Sequence, residues 1–123
     1  MACKWRVGLL AAIATASAGC LSAGVHVIPV AGPPDLARGA ERYPDLTADE
    51  LAAGRTILVG RCSTCHQTPS PSLLSPEAWP AQVAQMKGRA HLDEHQHRLV
   101  ERYLVTMSLA DDSLTQSSSG SSR

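Results

Sequence analysis

Apolar residues recur at helical spacing in three stretches of the chain. The first opens at Thr47-Ala48-Asp49-Glu50, where Thr47 can cap a helix and Glu50 can reach back to it. Leu51, Gly54 and Leu58 then share one face, and the helix is expected to end near Gly60. The second opens at Ser75-Pro76-Glu77, which supplies a cap, a proline suited to the first helical position and an acid at the positive helix end. Trp79, Val83 and Met86 follow on one face, and Gly88 is the expected stop. The third opens at Asp93, with Gln96 three residues on and Leu92 just ahead. Its apolar stripe is Leu99, Val100, Tyr103, Leu104 and Met107. No stretch alternates as a strand would. The expected fold is therefore all-α: a small three-helix domain over residues 47–109, with the 65–75 loop wrapped around something.

The two ends read differently. Lys4 and Arg6 precede an apolar run at residues 7–16, and Ser17-Ala18-Gly19-Cys20 follow. That is the layout of a secretory signal peptide over residues 1–20, and the run is shorter than the roughly 20 apolar residues a membrane span needs. Two cleavage sites compete. Ala16-Ser17-Ala18 suits ordinary signal peptidase, while Ala18-Gly19-Cys20 resembles the end of a bacterial lipobox, although Ser17 stands where an aliphatic residue is usual. The second would leave Cys20 acylated and the protein tethered to a membrane. Both imply export, to the periplasm in a bacterium. Residues 21–46 hold Pro29, Pro33, Pro34 and Pro44 without a sustained period and read as a Pro/Gly/Ala-rich linker or wrapping arm. Residues 110–123 are dominated by serine and read as a disordered tail.

What remains is a domain of roughly 60 residues, a size that usually needs a disulfide, a metal or a cofactor to be stable. The chain has no Phe, and the aromatic residues in or next to this domain are Tyr43, Trp79 and Tyr103. A core so poor in large side chains has room for a large apolar group, such as a porphyrin. Charge excludes another class of partner. Of eleven basic side chains, Lys4 and Arg6 lie in the leader, so nine remain against eleven acidic ones. That balance gives nothing with which to hold nucleic acid.

Cys62-Ser63-Thr64-Cys65-His66 carries the chemistry. Cys-x-x-Cys-His is the attachment signature of c-type haem. Each thiol adds to one vinyl group, and the adjacent imidazole ligates iron from the proximal side. Two other uses of these residues compete. A redox-active Cys-x-x-Cys sits next to a βαβ pattern, which is missing here. A structural zinc module would need further ligands, for which His91, His95 and His97 are the available residues.

Residues 47–109, about half of the chain, resemble a class I c-type cytochrome domain, and in particular the small cytochrome subunits of periplasmic oxidoreductases. The likeness rests on Cys62–His66, on a helix that ends just before them, on Gly54 at the position of the small residue where helices cross, and on Tyr103-Leu104 in the last helix. Leu58 departs from the aromatic residue that many members carry four residues after the glycine. The resemblance implies one covalent haem c, held by Cys62 and Cys65, with His66 as the proximal iron ligand. It implies Met86 as the distal ligand, since the family places that ligand in the same relation to the last helix. His91 is the rival, Met107 reads as packing, and His95 and His97 read as solvent-facing. The implied function is single-electron transfer between exported redox proteins, without catalysis, either as a free carrier or as the haem subunit of a larger dehydrogenase. A haem sensor or peroxide-reactive protein with an open distal site stays open as an alternative, as does the zinc module.

Four further roles have two readings each. The carbonyl of Pro69 or Pro71 can fix the His66 ring or merely punctuate the loop. Trp79 can meet a haem propionate or simply pack. Arg61 and Arg89 can pair with propionates or stay in solvent.

Overall fold

The computed structural model describes residues 27–119. Four α-helices follow one another: α1 (Pro33–Arg42), α2 (Ala48–Ile57), α3 (Trp79–Lys87) and α4 (Glu94–Ser119). The described residues contain no strand, so the fold is all-α. No helix among them is long and apolar enough to cross a membrane. The leader and its two cleavage sites lie outside the described residues.

Capping fixes where two helices start. The Glu50 N–H donates to Thr47 Oγ1 and the Thr47 N–H to Glu50 Oε2, both at 3.2 Å. At α4 the Gln96 N–H donates to Asp93 Oδ1 (2.8 Å) and the Asp93 N–H to Gln96 Oε1 (3.2 Å). Each pair satisfies donors that the first helical turn leaves without a partner.

Helix α4 is the spine, packed against α1, α2 and α3. Its residues Tyr103 to Ser108 are all buried, because neighbours cover it on several sides. The α2–α4 crossing is close at Gly54. A Cβ there would lie 2.2 Å from the Leu99 carbonyl oxygen and 2.8 Å from Tyr103 Cβ. Only a residue without a side chain allows this approach.

Four boundaries differ from the sequence pattern. The 21–46 stretch carries α1, and Ile28, Gly39 and Leu46 are buried, so the packed unit begins well before Thr47. Pro33 and Pro34 occupy the first helical positions, where a missing N–H costs nothing, and so start a helix instead of breaking one. Helix α2 does not stop at Gly60 but widens into a π-helical turn over Leu58–Cys62. Residues 75–78 form a turn before α3, in which the Ala78 and Trp79 N–H groups both donate to the Ser75 carbonyl (3.0 and 3.3 Å). Finally, α4 continues through Ser119 into the serine-rich stretch read as disordered. Adding a residue to a formed helix costs far less than nucleating one.

Two arginines anchor the amino-terminal half, one to the spine and one to α2. Arg102 on α4 bonds Glu50 (3.1 Å) and Asp45 (3.0 Å) and lies over the Tyr43 ring, 5.2 Å from its centroid. Arg55 on α2 holds the arm that precedes α1: its Nε and a terminal nitrogen donate to the Ile28 carbonyl (3.0 and 2.8 Å), and Nε also reaches the Pro29 carbonyl (3.1 Å). The Tyr103 hydroxyl donates to the same Pro29 carbonyl.

Tyr103 gives the fold a pH dependence. Burial pushes its hydroxyl up to about 12. The unfolded value is near 10, so the folded state holds this proton more tightly. Its contribution is complete below about pH 10 and is lost as pH rises toward about 12, to a limit of about 2–3 kcal/mol. Denaturant unfolding on either side of that window is expected to show the loss, and Tyr103→Phe to remove this component. An unchanged pH slope in the variant would contradict the assignment.

Candidate functional site

A cavity of about 640 Å³ lies between the π-helical turn, the loop that follows it, α3 and α4. Cofactor sites commonly span about 300–1,000 Å³. Leu58, Val83, Leu92, Val100 and Leu104 give the wall its apolar character. Cys62, Cys65, His66 and Met86 all line it too, although Met86 is 20 residues or more from the other three in sequence. The cysteines arrive from the end of the α2 extension, and Met86 from the last turn of α3.

The four side chains differ in setting. Both cysteines are free thiols; Cys62 is half-buried and Cys65 exposed. Burial pushes the Cys62 thiol up, the opposite of what a redox-active thiolate needs. His66 Nδ1 lies 2.8 Å from the Gln67 carbonyl oxygen. A carbonyl can only accept, so Nδ1 carries the proton and Nε2 keeps a lone pair for a ligand. Met86 is partly buried.

No protein-family profile, curated protein or solved structure matches this chain.

The other candidates fall in other places. Met107 belongs to the buried core and not to the cavity wall. His91 is exposed and off the wall, in the turn between α3 and α4, where its φ of 52° is left-handed. His95 is exposed, but His97 is partly buried, and its Nε2 has no hydrogen-bond partner, unlike the solvent-facing position expected of it. Among the described residues, no group of three or more His, Cys, Asp or Glu is placed to hold a metal ion.

Trp79 and Pro71 have a role of their own. The buried Trp79 Nε1–H donates to the Pro71 carbonyl at 2.9 Å, pinning the short 3₁₀ turn Pro71–Leu73 against α3. That donor is not free for a propionate, and that carbonyl does not serve His66. The Gln67 carbonyl does, and a backbone acceptor leaves no side-chain signal in a sequence. Arg61 and Arg89 are exposed cations on the cavity wall, and neither makes an ion pair among the described residues. No Asp or Glu of the described residues lines that wall. The cavity therefore suits a large apolar guest that carries negative charge.

Proposed function

We propose that this protein is an exported monohaem c-type cytochrome that carries single electrons between redox proteins. One observation carries the reading: Cys62, Cys65, His66 and Met86 line a single apolar cavity. The fit extends to charge, since Arg61 and Arg89 line that wall without a carboxylate among them. Cys62 and Cys65 would hold the haem through thioether bonds, with His66 Nε2 and the Met86 sulfur as its iron ligands.

Haem, when bound, supplies a one-electron iron couple. The chain's own residues do the rest. Gln67 orients the His66 ring through Nδ1. The apolar wall and the Met86 thioether would favour the less charged, reduced state of the group held there. Trp79 fixes the Pro71 turn and so the cavity's shape. With His66 and Met86 both holding the iron, no position would be left for a substrate, and the protein would be a carrier and not an enzyme. Its partners would be exported redox proteins, met as a free carrier or within a dehydrogenase. Under this reading the chain works in the periplasm, and acylation of Cys20 would add a membrane tether.

Met86→Ala tests the ligand set. The oxidised protein is expected to show the weak sulfur-to-iron charge-transfer band, and the variant to lose it and show a lower reduction potential. A band that survives the substitution would remove Met86 from the reading. Covalent haem with no band in the unaltered protein would favour the open-site sensor or a histidine ligand.

A further inference from the structure

The cavity has a neighbour. A more open groove of about 510 Å³ runs along the other side of the His66 segment, and His66 and Gln67 line both. One side of the groove is Ser63, His66 and Gln67; the other is the arm, through Val27 and Ile28, together with Arg55. The arm thus lies alongside the proposed haem-attachment segment. It is also held firmly for a stretch outside any helix. Ile28 is only 5% exposed, Arg55 donates to two consecutive carbonyls, and Tyr103 donates to the second of them.

We propose that Arg55 is a positioning residue for the proposed iron ligand His66: by clamping the Ile28 and Pro29 carbonyls it fixes the arm as the outer wall of the His66 segment and sets how much water reaches that segment. This rests on the haem reading above. The physical route has two parts. Burial and solvent access around an iron ligand are levers on its reduction potential. The Arg55 charge lines the same groove and favours the state of the iron with less positive charge. Arg55→Ala removes the clamp and the charge together, and both changes stabilise the ferric form. Arg55→Lys keeps the charge but cannot reproduce the planar fork that reaches both carbonyls.

The test uses the mature haem-loaded protein, with the reduction potential and the Ile28 δ1-methyl NMR resonance of the ferrous form as readouts. In Arg55→Ala, the methyl signal is expected to move from its packed position toward that of a solvated isoleucine. The potential is expected to fall, and imidazole to displace a protein ligand from the ferric iron about tenfold more readily. Arg55→Lys is expected to release the arm with a smaller fall. Ile28→Ser, which loosens the arm, leaves Arg55 in place and is read through the potential alone, is expected to show the same fall as the lysine variant; it also serves if Arg55→Ala does not fold. A released arm with an unchanged potential in either Arg55 variant would overturn the proposal, and so would an unchanged potential in Ile28→Ser or an arm that stays docked without Arg55. Failure of the unaltered protein to bind haem would instead sink the underlying reading, while the methyl signal would still report whether Arg55 holds the arm.

Discussion

Gly54→Val is expected to destabilise the protein by about 3 kcal/mol or more, the upper range for forcing extra atoms into a packed interior. The first added carbon would sit 2.2 Å from the Leu99 carbonyl oxygen. That oxygen belongs to the α4 backbone and cannot rotate aside as a long side chain would. The helices must separate instead, and separation opens voids beside Leu51, Leu58 and Tyr103, all buried in the same core. Even alanine carries the offending atom, so Gly54→Ala should already cost about 1–3 kcal/mol. In a domain this small, each kcal/mol corresponds to about 4–8 °C in Tm. Thermal unfolding of the haem-loaded variants checks this, and a valine variant within about 0.5 kcal/mol of the original would mean that the crossing is looser than the structure has it.

The second large effect concerns attachment. Replacing both Cys62 and Cys65 with alanine is expected to leave the apolar wall, His66 and Met86 intact, but to make haem extractable. Under acid and organic solvent the colour should stay with the unaltered protein and leave the double variant almost completely. His66→Ala is expected to differ: under the proposed ligation the thioethers could still form, but the iron would lack its proximal ligand and the spectrum its low-spin character. If extraction treats the double variant and the original alike, the cysteines do not carry the attachment.

Much of the helical plan is legible in the amino-acid sequence alone. The pairs Thr47/Glu50 and Asp93/Gln96 are local signals, because a capping box needs only residues three apart, and both bond as expected. The 99–107 stripe is legible for a similar reason, since helical spacing repeats within a few turns. Helix α1 is harder to see. Its two prolines look like linker residues until one knows that they occupy first-turn positions, and its docking depends on Gly39 meeting Leu46 and, on α4, Thr106. The π-helical turn at Leu58–Cys62 has no sequence signature at all.

The site divides along the same line. Cys62, Cys65 and His66 stand out by spacing, whereas Met86 is suggested only by the resemblance, through its position relative to the last helix. The use of the Gln67 carbonyl by His66, and of the Pro71 carbonyl by Trp79, is invisible, because every residue, proline included, offers the same backbone carbonyl. Arg55 is hidden differently. No acidic residue lies three or four positions from Arg55, where a partner on the same helix would sit, and it turns instead to carbonyls 26 and 27 residues away.

Covalent haem attachment would be visible in the intact mass of the mature protein under denaturing conditions, after production in an exporting host that matures c-type haem. The expected mass is that of the processed chain plus one haem, with absorbance that travels with the polypeptide. A processed chain at its bare mass, with Cys62 and Cys65 as thiols or as a disulfide, would contradict it.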